Sequence, residues 1–352
     1  MSSSEMVNEH RMAHLLSAYL FDTYSLYSCH FDDDIWNELF RLAQWHGVTA
    51  LMFEAVVKLP QVYRPSRKLL FHLSSVVDGI EKNNAHRHTM LQQLSALVCS
   101  QLGKPLVVVK GSSLARLYKE PLHRECGDND VLTGDMTEAV CHLVEQQGVT
   151  VCRDNPRHYT FKLDGVLFEC HNYLLYNHDD PQWQSVPYVS TNGDDSVPLR
   201  CLPLHQEAFF LAKHMEYSTT FFDSPIKIRS LIDWVLLMHE ERFSSNFCKL
   251  KSNTDVDIFA DLLATYCIEL FQLPQGYLNG YKSHKTVSTD DFERMYVIRH
   301  KRHRVALFRV MRRSWKYLRF SRQYRYIYGC SMFRRFYLHN VWVAMLQKLH
   351  IR

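Results

Sequence analysis

Apolar positions recur at two periods along this chain, and the switch between them marks out its parts. From residue 5 to residue 100 the period is helical. Ile35, Leu39, Leu42 and Ala43, then Val48, Leu51 and Met52, fall at helical spacing. Asp33 or Asp34 suits the N-cap ahead of Ile35, and Gly47 suits the stop. Leu69 to Leu102 carries a second long helical pattern around a charged waist, Glu81-Lys82-Asn83-Asn84. The period then shortens. Leu106-Val107-Val108-Val109 is a continuous apolar run that predicts a buried strand, and Lys110-Gly111-Ser112-Ser113 breaks it. Leu114, Leu117 and Tyr118 predict a helical segment that Pro121 ends. Asp128-Asn129-Asp130-Val131-Leu132 predicts the next strand. Met136 to Gln147 predicts a helix closed by Gly148, and Val149-Thr150-Val151 a short strand.

His158 to Leu163 and Val166 to His171 alternate around Asp164-Gly165, which predicts a hairpin with a type I′ turn. In its second strand Val166, Phe168 and Cys170 face one way, and Leu167, Glu169 and His171 the other. Residues 177–200 are rich in Pro, Asn and Asp and predict a surface excursion. Helical spacing returns at Leu204 to Met215, Ile228 to Met238 and Asp255 to Leu273, and Pro274 to Asp291 reads as a linker. A mixed sheet of about four or five strands between helical segments is the expected architecture.

Composition adds a core and a compartment. The 352 residues are 46% hydrophobic, enough for a sizeable interior. Ten cysteines are scattered without a CxxC pair, which fits reduced thiols in a cytoplasmic protein. The first residues lack the pattern of a secretion signal, and no apolar run reaches the roughly 18–20 residues of a membrane span. Charge is divided unevenly. Sixteen of the 41 Lys and Arg, and none of the 37 Asp and Glu, fall between Arg294 and Arg352. An acidic body therefore precedes a basic tail that is also rich in Trp, Tyr and Phe.

The chemistry concentrates at Asp128 and Asp130. In a strand they share a face, with Cα atoms about 6.5–7 Å apart. Carboxylates reaching inward from that separation suit two divalent ions about 3.5–4 Å apart, the arrangement of two-metal phosphoryl transfer. The Gly111-Ser112-Ser113 turn opens a helix and offers amides and hydroxyls to a phosphate. Glu169, an isolated acid among apolar neighbours, asks for a reason of its own.

Strand, Gly-Ser turn, helix and Asp-x-Asp strand resemble the DNA polymerase β-like nucleotidyltransferase superfamily. Leu106-x-x-x-Lys110-Gly111, Leu117-Tyr118, Arg124 and Gly127-Asp128-x-Asp130 resemble one branch more narrowly, a bacterial family of largely uncharacterised nucleotidyltransferases. Glu169-x-His171, His214 and Arg229-x-x-x-Asp233 extend the resemblance downstream. Two features depart from the superfamily: Asn129 stands where an apolar residue is usual, and the gap from Gly111 to Asp128 is long.

The resemblance implies an α+β fold, a nucleotidyltransferase mixed-sheet core flanked by N- and C-terminal helical domains. Its divisions are a helical domain at 1–104, a catalytic core at 105–200, a helical domain completing the cleft at 201–275, and a linker plus basic helical tail at 276–352. It implies an enzyme moving a nucleoside monophosphate from an NTP, ATP being the first candidate, to an unidentified acceptor, with release of pyrophosphate. Asp128, Asp130 and Glu169 would bind Mg²⁺ or Mn²⁺ and carry catalysis. Lys110, Gly111, Ser112, Ser113 and Arg124 would meet the phosphates. For Lys110 a salt bridge to the carboxylates is an equal reading, and for Arg124 a structural ion pair. His171 would orient Glu169. His214 is either an acceptor contact or a core histidine, and Arg229 with Asp233 a helix ion pair. The N-terminal helices either buttress the core or line an acceptor groove. A catalytically lapsed fold acting as a binding module is the alternative to the whole. The tail 294–352 either docks on the acidic body or meets a polyanion, nucleic acid or an anionic membrane.

Overall fold

A computed structural model describes residues 3–21, 31–155, 157–174, 189–190, 199–222, 225–240, 256–274 and 276–278. The basic tail and most of the expected linker lie outside the described residues.

Among the described residues the first helices are α1 (Ser3–Leu20), α2 (Asp33–His46) and α3 (Thr49–Lys58). The N-cap of α2 is Asp32, one residue earlier than expected, and its side chain accepts from the Ile35 amide at 2.9 Å. Gly47 stops α2 in the left-handed region at φ 68°, and a Cβ there would lie 2.9 Å from Arg229 Nη1. Helix α4 (Arg67–Leu102) then runs for 36 residues, about 54 Å.

Among the described residues seven strands form one mixed sheet: β1 (Leu106–Val109), β2 (Asn129–Leu132), β3 (Val151–Cys152), β4 (His158–Leu163), β5 (Val166–His171), β6 (Val189–Ser190) and β7 (Leu199–Cys201). Their order is β3-β4-β5-β2-β1-β7-β6. β1 is antiparallel to β2 and parallel to β7, and β2 is parallel to β5. The count exceeds the expected four or five because β6 and the start of β7 fall within 177–200, which local composition marks only as excursion. Leu199 and Cys201 are buried, and β7 extends the sheet beside β1.

Interleaved with the strands are α5 (Gly111–Ala115) and α6 (Thr137–Glu145); after them come α7 (Leu204–Phe222), α8 (Ile228–His239) and α9 (Val256–Leu270). One sheet face packs on α4 and α6. There Leu91, Leu94, Val98 and Val140 meet Val108, Val131, Phe168 and Cys170. Val107, Val109 and Leu202 on the other face meet Phe210 of α7. The helices before and after the sheet share a further core, in which Trp36, Leu39, Trp234 and Phe259 are all fully buried. His46 ties them together: its Nδ1 accepts from the Ile228 amide at 3.1 Å, and its Nε2 lies 3.3 Å from Glu9.

The polar waist of α4 holds the link that leads into β2. Asn84 donates to the carbonyls of Leu122 and Arg124, Arg87 donates to that of Gly127, and Glu81 meets His123 at 2.7 Å. Charged residues in mid-helix are thus spent on anchoring the segment that delivers Asp128.

Candidate active site

The site is built where β1, β2 and β5 lie side by side. β1 ends at Val109, and Lys110 turns the chain with φ 55° and ψ −122°, a conformation that disfavours any side chain. The turn is held from the far side of the sequence. Glu207, in the first turn of α7, accepts from the Lys110 amide at 2.6 Å. Burial pushes the Glu207 carboxyl up to about 8, and among the described residues its second oxygen has no hydrogen-bond partner. Glu207 was not among the residues expected from sequence. Its signal was an acid sharing a helix face with Phe210 and Leu211, on the buried stripe of α7.

Lys110 reaches back over the sheet, and its Nζ lies 2.7 Å from Asp130 Oδ1. Gly111 fits because a Cβ there would meet Arg124 Nη1 at 3.2 Å and Cys126 Sγ at 3.4 Å. Ser112 donates to Asn129 Oδ1 at 2.9 Å, and Asn129 donates to the Arg87 carbonyl of α4 at 3.1 Å. That bridge accounts for the polar residue between the two aspartates. Asn129 faces α4, away from the site, and pins the Gly-Ser turn to the long helix. Ser113 is fully buried beside the Cys201 thiol. The Ser112 hydroxyl thus serves the scaffold, and the first amides of α5 by helix geometry have no intrahelical acceptor.

Asp128 stands one residue ahead of β2, and Asp130 within it. Asp130 is the registered neighbour of Glu169 on the parallel strand β5. Burial pushes the Asp128 carboxyl up, and the charges of Asp130 and Glu169 push it further. Burial acts the same way on Asp130, but the Lys110 ammonium and His171 outweigh it and hold the carboxyl well below the usual range. His171 Nε2 lies 2.8 Å from Asp130 Oδ1 and 3.4 Å from Glu169 Oε2. Its hydrogen bond lowers the Glu169 carboxyl, against burial and Asp130. The structure therefore brings Asp128, Asp130, Glu169, Lys110 and His171 together. Three acids outnumber the one ammonium beside them, though among the described residues it is His158, Glu169 and His171, not the three acids, whose ligand atoms all lie within 4.8 Å of one another.

Arg124 is committed elsewhere. Its Nη2 and Nε lie 2.6 and 3.1 Å from the two carboxylate oxygens of Asp233, and Tyr118 donates to Asp233 Oδ1 at 2.6 Å. Of the two readings open for Arg124, the geometry is that of the buried ion pair, since a bidentate fork leaves little for a phosphate. The expected partnership of Arg229 with Asp233 is corrected by the same contacts: Arg229 donates to the Glu125 carbonyl at 2.6 Å. His214 lies on α7, with Nδ1 buried and, among the described residues, without a hydrogen-bond partner. Burial, then the Lys110 ammonium, pulls it down to about 3, so it is neutral.

Fold and site together define a nucleotidyltransferase. The chain belongs to the family described as Uncharacterised nucleotidyltransferase, whose model matches residues 32–272. No curated protein matches the chain. Two solved structures are similar to part of it. One is a crystal structure of ANT(2")-Ia in complex with adenylyl-2"-tobramycin, 16% identical, covering 50% of this chain and 96% of that one at a TM-score of 0.33. The other is a solution structure of antibiotic-resistance factor ANT(2'')-Ia, 14% identical, with 53% and 95% covered and the same TM-score of 0.33. No helix among the described residues is long and apolar enough to cross a membrane.

Proposed function

We propose that this enzyme moves a nucleoside monophosphate from an NTP, ATP being the first candidate, to an acceptor hydroxyl or phosphate. The acceptor oxygen attacks the α-phosphorus, the bond to the bridging oxygen breaks, and pyrophosphate leaves with that electron pair. The observation that carries this is the registered pair Asp130 and Glu169, with Asp128 close enough for both to raise its carboxyl. These carboxylates would hold Mg²⁺ or Mn²⁺, which when bound activates the attacking oxygen and offsets charge on the leaving phosphates. Lys110 adds a positive charge at the same place, and the amides of Gly111, Ser112 and Ser113 suit phosphate oxygens. Glu207 keeps that turn in its strained shape. Residues 201–275, which carry Glu207 and Phe210, complete the cleft.

The test is incubation with each of the four NTPs and Mg²⁺ or Mn²⁺, following pyrophosphate and transfer of label to protein or to a small-molecule extract. Release that Asp130→Asn abolishes supports the reading. Tight NTP binding without any release would return it to a lapsed fold, and neither binding nor release would overturn it.

A further inference from the structure

Next to the Asp-x-Asp carboxylates stands a second donor set of different chemistry. His158 opens β4 and is the cross-strand partner of His171 on β5, and Glu169 follows on the same face, paired with Thr160. Ligand atoms of His158, Glu169 and His171 all lie within 4.8 Å of one another. His171 Nε2 is 3.4 Å from Glu169 Oε2, and His158 Nε2 is 3.9 Å from Glu169 Oε1. Two donors that are each about 2.0–2.2 Å from one ion stand no more than about 4.4 Å apart, so both of these pairs already fit. The third pair, His158 and His171, also lies within 4.8 Å.

His171 is fully buried, and its Nε2 faces both Asp130 Oδ1, at 2.8 Å, and Glu169 Oε2. Glu169 presents one oxygen to each histidine, and Asp130 is its registered neighbour on the other side.

We propose that His158, Glu169 and His171 form a nitrogen-bearing divalent metal position beside the carboxylate position, with Glu169 able to contribute to both. Two imidazoles and one carboxylate select Mn²⁺, Co²⁺ or Zn²⁺ over Mg²⁺, whose ligands are oxygens. The proposal rests on Glu169 belonging to the active site, but not on the transfer reaction itself.

The test is titration of the full chain with Co²⁺, read as the ligand-field absorption of the bound ion, with Mg²⁺ in excess. The expected result is a band present in the wild type and in Asp128→Ala, lost in His158→Ala and in His171→Ala, and not removed by Mg²⁺. Because His171 is buried, His158→Gln serves as a second variant whose fold is checked by its melting curve. A band unchanged in His158→Ala and His158→Gln, or erased by Mg²⁺ in the wild type, overturns the proposal. Absence of NTP turnover alongside an intact, histidine-dependent band would sink the transfer reading and leave this one standing.

Discussion

Asp130 and Asp233 are both almost fully buried, at 5% and 1% exposure, and each is held by cationic or hydroxyl donors. The difference lies in the balance around them. Asp233 is closed: Arg124 grips both oxygens and Tyr118 caps one. Burial and the Asp233 charge raise the Tyr118 phenol well above its ordinary value, while Asp233 keeps Arg124 charged against burial. Asp130 is open: its neighbours Asp128 and Glu169 are acids too, and Lys110 answers only part of their charge. A balanced buried pair belongs to the scaffold, whereas the unbalanced one carries a net negative charge that a bound cation would offset.

Exchanging the two roles by mutation is the sharpest way to break this contrast. Asp130→Asn should cut pyrophosphate release by about a thousandfold, since metal-centred stabilisation is worth several kcal/mol. Its melting point without divalent ions should fall, because Lys110 and His171 lose their buried carboxylate, but by less than for Asp233→Asn, because losing one acid relieves the other two. A melting loss matching that of an Asp233 variant would erase the distinction.

Asp233→Asn leaves the Arg124 charge buried without a counter-charge, and should cost about 3–5 kcal/mol in urea unfolding. A loss under about 1 kcal/mol, the range of exposed pairs, would mean that the pair is solvated.

Glu207 sharpens the comparison from a third side, as a buried acid with a backbone amide for company. Its folded value of about 8 stands above the ordinary 4.5. The folded chain therefore keeps a proton that the unfolded chain releases, and wild-type stability should fall as pH rises between those values. Glu207→Gln should lack that fall, a difference of several kcal/mol at most. Urea midpoints for both proteins across about pH 5 to 9 decide it, and parallel curves would refute a buried, protonated Glu207.

The smallest effect expected is a metal shift. Mn²⁺ at about 100 times its Kd should stabilise the wild type by about 2.7 kcal/mol. The combined Asp128→Ala and Asp130→Ala protein should gain much less, and equal gains would remove the carboxylates from the metal site.

What was legible in the sequence was local. The strands at 106–109, 158–163 and 166–171 have the bounds that alternation and the Asp-Gly turn set. Glu169 stood out because an acid among Phe168, Cys170 and Leu167 is costly without a purpose. What was hidden depends on contacts far apart in the chain. Asp233 shares a helix turn with Arg229, but its carboxylate is taken by Arg124, 109 residues earlier. Leu199–Cys201 is too short to show a period, and its polar surroundings mask it. Asn129 looked like a flaw because its partners, Ser112 and the Arg87 carbonyl, come from two other segments.

The hydrogen bond from the Lys110 amide to Glu207 spans 97 positions of the sequence. Synthesis runs from N- to C-terminus, so a growing chain has its Asp-x-Asp and even Glu169 long before it has the residue that fixes the turn. The strands that carry the acids can pair early, but the turn at Lys110 takes its final shape only after α7 emerges and docks. Such distant closure slows folding, as non-local contacts do. It also leaves a half-made chain without the finished turn beside its acids.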